Sequence, residues 1–282
     1  MCGKVVVVSK PIAAQIHDIV FAKASVAGLE VIDLIVAVAE LRVALRRLRA
    51  TLHVFASWAS APEEAAALEQ AWRAPFALLG AARDQDVMTE SFGPALAAAG
   101  APALAPVSAA AHLAPQHVVC APDFADLMLR TLSLSVAPPK PAAAITSVPL
   151  QDAASAAQVQ LDPLWRQVRK QAARFPQASP SQQHRLRKRI KRLRYVLEGA
   201  QSLFKRRVTR SCLRGLRQAL QALGELHDLQ IAQAHYRERA AQDPQAWFAV
   251  GYLAGREPEL HRAAVQALAK LKSNPPQWRQ AG

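Results

Sequence analysis

Between residues 185 and 194 the chain reads RLRKRIKRLR, seven cations in ten positions. The other three, Leu186, Ile190 and Leu193, fall at helical spacing and join Leu197 in an apolar stripe, while His184, Arg187, Lys188 and Lys191 point the opposite way. The chemistry such a face can do is anion binding. A guanidinium donates two parallel hydrogen bonds to phosphate oxygens, an ammonium adds point charge, and His184, one turn before Arg187 and Lys188, is a further donor. The surrounding cations favour its neutral form unless an anion is bound. Like charges three and four apart repel by roughly 0.2–0.5 kcal/mol each, on the order of 2 kcal/mol in all. No carboxylate follows before Glu198. A helix carrying that cost faces a polyanion; a solvated charged face is the alternative.

Other residues bear on the same question. Lys205, Arg206, Arg207, Arg210, Arg214 and Arg217 form a second basic group, with the last four at helical spacing, either lining the same surface or facing solvent. His227 beside Asp228 has the look of a metal-binding pair but lacks supporting His and Asp residues, so no metal site is expected. Asp84, Asp86, Glu225 and Asp228 could hold a divalent ion or act as acid and base. Their preferred role is to anchor arginines of a neighbouring helix. Trp58, Trp72, Trp165, Trp247 and Trp278 are dispersed and read as packing residues rather than base-stacking platforms. No Gly-rich phosphate loop, GxSxG or HExxH is present.

The elements that must position these side chains are helices. Ala, Leu, Arg and Gln recur at helical periods, so the expected fold class is all-α, with no strand beyond a short Val5–Val8 run. Capping boxes mark helix starts at Ser60 with Glu63 and at Ser179 with Pro180 and Gln182. Proline-rich stretches at 94–122 and 138–149 are expected to break helices. The divisions expected are an N-terminal segment 1–29, a first helical bundle 30–137, an Ala/Pro-rich linker 138–160 and a second bundle 161–275.

Charge is divided unevenly. The net charge is +14, and residues 151–282 hold 24 Lys and Arg against 9 Asp and Glu, so a local positive field and an anionic partner are expected. Three scattered cysteines, Cys2, Cys120 and Cys212, fit neither a disulfide framework nor a metal spacing and suggest a reducing compartment. The hydrophobic stretch from Ile19 to Ala39 is interrupted by Lys23, Glu30 and Asp33, too many charges for a spanning helix. A soluble, cytoplasmic protein without a membrane partner is expected.

An internal repeat is visible. Residues 39–49 align with 184–194 through a shared xxLRxxxxRLR frame, and LLGAARDQDV at 78–87 aligns with ALGELHDLQI at 222–231, placing Gly80 and Asp84 over Gly224 and Asp228. Two patterns in the same order argue for a duplicated helical unit, two helical bundles with pseudo-twofold symmetry.

The HxLRxxxxRLR helix followed by an LGxxxD helix, present twice over about residues 30–275, resembles the CHAD family, the conserved-histidine α-helical domain. The resemblance implies two four-helix bundles, a basic cavity or channel lined by the repeat helices, and binding of inorganic polyphosphate without catalysis or cofactor. The ExExK signature of the triphosphate-tunnel domains adjoining some relatives is absent. Carried over by position, the family's basic helix falls on His184, Arg187, Lys188, Lys191, Arg192 and Arg194 in the second half. In the first half it falls on Arg42, Arg46, Arg47 and Arg49, with Ala39 in place of the histidine. Val43 and Ala50 stand where the second half has Lys188 and Tyr195, so the first ligand face is expected to be the weaker.

The function expected is non-catalytic polyphosphate binding, on a cytoplasmic protein that could ride on polyphosphate granules. Its residues are those ten with Arg207, Arg210 and Arg214. Nucleic-acid binding by the same helices is the alternative, disfavoured by the lack of a reader motif. A metal-dependent phosphohydrolase using His227, Asp228 and Asp84 is a weaker third.

Overall fold

The computed structural model describes residues 15–20, 22–23, 31–56, 59, 61–104, 114–136, 150–276 and 278. The long elements among them are all helices: α1 (Val31–Phe55), α2 (Pro62–Ala71), α3 (Arg73–Ala98), α4 (Pro115–Cys120), α5 (Pro122–Val136), α6 (Leu150–Arg174), α7 (Pro180–Ala200), α8 (Arg206–Ala240) and α9 (Trp247–Ser273). Residues 15–20 are also helical, and short 3₁₀ turns lie at 175–177, 201–203 and 244–246. The fold is all-α, and no strand occurs among the described residues. The Val5–Val8 run, Cys2 and Ser60 lie outside them. No described helix is long and apolar enough to cross a membrane.

Contacts divide the chain into two compact units. One comprises Met1–Asp84, Ala111–Gln160 and Tyr195–Phe204, the other Gln85–Ala110, Leu161–Arg194 and Lys205–Gly282. Helices α3, α6 and α7 therefore contribute residues to both. Residues 150–160, expected in a linker, are the first turns of α6, and 138–149 lie outside the described residues.

The first unit is built on the stripe Leu41, Leu45, Leu48 and Leu52 of α1, all fully buried at 4, 3, 4 spacing. Trp72 is also fully buried, edge-on to Phe124 at 5.2 Å, with its indole N–H donating to Thr131 Oγ1 at 3.0 Å. The buried ring thus has its one polar atom satisfied.

Along α7 the apolar stripe read from the sequence is buried: Leu186, Ile190 and Leu193 in the second unit, and Leu197 among the residues of the first. The Ser179 capping box forms, Ser179 N–H donating to Gln182 Oε1 at 2.9 Å and Gln182 N–H to Ser179 Oγ at 3.4 Å. At the other expected box, the helix begins with Ala61 as N-cap and Pro62 in the first turn, without a side-chain cap. Pro94 does not break its helix. It sits inside α3, where Phe92 and Leu96 pack with Leu229, Ala232 and Leu253, burial that outweighs one lost backbone hydrogen bond. The helix ends at Ala98, and Gly100 beyond it, with a φ of 81°, lets Ala101 N–H reach back to Leu96 O at 3.0 Å.

Of the tryptophans, Trp72, Trp165 and Trp278 are buried as expected. Trp58 lies outside the described residues. Trp247 departs from expectation: at the start of α9 it is 58% exposed beside the exposed Phe248. Of the cysteines, Cys212 is buried, which pushes its thiol up to about 12, and Cys120 is exposed.

Candidate anion-binding sites

In the second unit α7 and α8 run antiparallel, because residues 183, 184 and 187 meet 230, 227 and 224 in turn. Arg187 reaches α8 at Gly224: a Cβ placed there would lie 3.3 Å from Arg187 Nη2. The absent side chain is what lets a guanidinium lie across the neighbouring helix. One turn away, His184 Nδ1 and His227 Nε2 are 3.1 Å apart, with ring centroids at 4.5 Å. Gln230 Nε2 donates to Gln183 Oε1 at 3.0 Å and to Glu257 Oε1 at 3.3 Å, and Gln183 Nε2 donates to Ala178 O at 2.9 Å. Gln183, His184, Arg187, His227 and Gln230 line a small cavity floored by Leu223 and Leu226.

The histidines are neutral at pH 7. Burial and then the Arg187 cation push His227 down to about 4, with further contributions from His184, Lys191 and Lys188. Burial and then Lys188, Arg187 and Lys191 lower His184. Two neutral imidazoles share one hydrogen between Nδ1 and Nε2, so one ring donates and the other accepts. If His184 accepts, its Nε2 carries the hydrogen and can serve an anion.

The remaining cations of this face divide by position. Lys191 and Arg194 continue the half-buried row of His184 and Arg187, whereas Lys188 and Arg192 are more exposed, at the far edge of the cationic arc. Arg207, Arg210 and Arg214 are exposed on α8. Arg210 and Arg217 stand 14 and 7 residues before Gly224, so they share the face of α8 that receives Arg187. Tyr195, expected on the ligand face, is buried instead. It follows the Arg194 row by one position, which turns it toward the core.

The first unit holds its own cluster. Arg42, Arg46 and Arg49 of α1 place their guanidinium carbons 5.6, 5.2 and 5.5 Å from the centroid of one ring, Phe76 of α3. Arg42 Nη1 donates to Gly80 O at 3.5 Å, and a Cβ on Gly80 would lie 3.3 Å from Arg42 Nη2. This repeats the relation of Arg187 to Gly224. Arg49 Nη2 donates to Glu69 Oε1 at 2.8 Å and Arg73 Nη2 to Glu69 Oε2 at 3.3 Å. Burial works to raise the Glu69 pKa, but Arg49 and then Arg73 outweigh it and hold the carboxyl below its ordinary value. Arg47 is not brought to this row. It faces Glu198 at 3.7 Å and Asp18 at 3.9 Å.

Several site residues escape the sequence reading. Glu69, not one of the four acids named from the pattern, braces Arg49 and Arg73 of the first unit. Glu225 accepts from Gln221 on its own helix at 2.6 Å, and the side chains of Asp84 and Asp86 lie outside the described residues. Phe76 has one signal: it stands four residues before Gly80, where the second repeat has Leu220 before Gly224. His227 finds its partner in His184 rather than in a metal set, and no three His, Cys, Asp or Glu side chains gather as metal ligands among the described residues.

Comparison with known proteins places this geometry. The model of the CHAD domain matches residues 26–237. Among solved structures, the crystal structure of the CHAD domain from the plant Ricinus communis is similar, with a TM-score of 0.69 and 25% identity over 95% of this chain and 92% of that one. A search of curated proteins finds no match. With the family pattern spanning both arginine-bearing helices and most of the chain between and around them, the protein belongs to the CHAD domain family.

Proposed function

We propose that this protein binds inorganic polyphosphate without transforming it, each unit presenting a prearranged row of cations to the chain of phosphates. The observation that carries this reading is the convergence of Arg42, Arg46 and Arg49 on Phe76, together with the half-buried row of His184, Arg187, Lys191 and Arg194. Rows of cations held by helix packing suit an anion with a charge on every unit, since each guanidinium can make a bidentate contact and little side-chain freedom is lost on binding. Membership of the CHAD family supports the same reading. Binding displaces counterions, so affinity falls steeply with salt, and a granule of polyphosphate would retain the protein. The test is titration of long-chain polyphosphate at several salt concentrations. Saturable binding with a steep negative slope is expected, and no binding at about 0.05 M salt would refute the reading.

Nucleic acid is the second reading. The exposed Trp247 and Phe248 favour it, because an exposed ring can stack on a base. Replacing both with Ala should leave polyphosphate binding intact, and weakened RNA binding would identify the rings as a nucleic-acid contact.

A further inference from the structure

We propose that Phe76 is the positioning residue of the first unit's anion site: its ring gathers three guanidinium groups into one patch, and that gathering sets how tightly the unit holds a phosphate chain. The inference rests on the polyphosphate reading above and adds a specific determinant to it.

Arg42, Arg46 and Arg49 span two turns of α1. Long, flexible and like-charged, they would ordinarily splay apart into solvent. Instead their guanidinium carbons lie within 5.2–5.6 Å of a single ring centroid, the range in which the negative face of an aromatic ring attracts a cation. The outer two have second anchors. Arg42 donates to Gly80 O, and Arg49 is held by Glu69. Arg46, between them, is in none of the ion pairs formed by Asp18, Glu69 and Glu198 in this unit, and the ring is its contact. One carboxylate serves Arg49 and Arg73 together. Arg46, held by the ring, therefore has its positive charge available to an oxyanion.

The internal repeat supplies the contrast. In the alignment that places Gly80 over Gly224, Phe76 stands over Leu220; in the separate alignment of 39–49 with 184–194, Arg46 stands over Lys191. The unit with an aromatic ring has a guanidinium at the middle position; the unit with a buried aliphatic side chain has an ammonium. Guanidinium stacks on a π face and ammonium acts as a point charge, so the exchange is matched on both helices. Ala39 and Val43 remove two ligand-face groups from the first repeat relative to the second. The ring provides order where cations are fewer.

The test uses the full chain, three single variants and the double variant that combines Phe76→Leu with Arg46→Lys. Phe76→Leu copies the second unit, Phe76→Trp retains a π face, and Arg46→Lys retains charge without stacking. Long-chain polyphosphate binding is titrated against salt. In parallel, ¹⁵N relaxation of the arginine Nε–H groups is measured in the free protein. Phe76→Leu is expected to weaken binding about tenfold, with an unchanged salt slope because no cation is lost. Phe76→Trp should restore it, and Arg46→Lys should add little to Phe76→Leu. Arg46 Nε–H should be ordered in the parent and Trp chains and mobile in the Leu chain. If Leu and Trp behave alike, Phe76 is a packing residue and the proposal fails. If the parent binds no polyphosphate, the functional reading fails, while the relaxation data still decide: equal Arg46 mobility in parent and Leu chains overturns the gathering itself.

Discussion

Arg187 lies across Gly224, its Nη2 3.3 Å from the point where a side chain would begin, and Arg42 stands in the same relation to Gly80. The aligned glycines of the two repeats thus serve as seats for the aligned arginines. Each seat fixes a guanidinium against a helix backbone rather than leaving it in solvent. Gly224→Ala asks the guanidinium to move by a few tenths of an ångström and adds up to about 1 kcal/mol of helix propensity, so stability should hold or rise. Gly224→Leu expels the guanidinium and should weaken polyphosphate binding about tenfold, the worth of one charged contact. Chemical denaturation and binding on both variants check this; full binding by Gly224→Leu would show that the seat is incidental.

The His184–His227 contact predicts proton uptake on binding. Both groups have lowered pKa values in the folded protein, His227 to about 4, so the folded state binds fewer protons than the unfolded one as pH drops below about 6.5. The sign follows: their neutral forms favour folding above about pH 6.5, and stability falls as pH drops toward about 4. A bound phosphate offsets the field of Arg187, Lys188 and Lys191 and raises both values. Glu257, reached through Gln230, is the carboxylate at the edge of the same hydrogen-bond network. Affinity should therefore rise from pH 7 to pH 5, and calorimetry in buffers of different ionisation enthalpy should show protons taken up. His227→Gln should flatten the dependence. An affinity independent of pH over that range would contradict the coupling.

Glu69 makes the first unit's arginines part of its fold. Glu69→Gln removes the charge that holds Arg49 and Arg73, and should destabilise the protein by about 1–3 kcal/mol. Its pKa is held below the ordinary value, so its contribution is present at neutral pH and lost as pH falls through that lowered value. The difference in thermal unfolding between the parent and Gln chains should be largest at neutral pH and shrink as pH falls below about 4.5 through the lowered value. A difference that does not shrink at any acid pH at which the protein folds would show that the charge is not what matters.

Much of this was legible in the sequence because it follows from period and charge. The stripe Leu186, Ile190 and Leu193, the Ser179 cap and the cationic row each depend on neighbours along one helix. What escaped depends on contacts between helices. Glu69 is 20 residues from Arg49, and Phe76 is 30 from Arg46, distances at which periodicity carries no information. Tyr195 directly follows a basic row in the sequence, yet one residue of rotation puts it in the core. Pro94 obeyed tertiary packing over local propensity.

The two arginine rows should respond differently to removal. Arg187, Lys191 and Arg194 replaced together by Ala relieve like-charge repulsion on α7, so unfolding free energy should change by less than about 1 kcal/mol while the salt slope of binding falls by about 2–3. The equivalent replacement of Arg42, Arg46 and Arg49 strands Glu69 beside Arg73 alone and should cost more stability. Equal destabilisation by both triples would place the α7 row among structural residues.

The most direct measurement is a competition. Long-chain polyphosphate is bound to the protein at about 0.15 M salt, and duplex DNA and RNA are added at matched phosphate concentration. Polyphosphate carries a charge on every unit of a thin, flexible chain and can follow rows of guanidinium groups seated on helices. A stiff duplex spaces its phosphates around a wide cylinder and cannot. Free phosphate and ATP engage few cations at once and forgo the multivalent gain. Polyphosphate retained against excess DNA and RNA, and able to displace either, is the result expected of a polyphosphate-binding protein. Displacement of polyphosphate by DNA or RNA at equal charge would contradict it and assign the basic helices to nucleic acid.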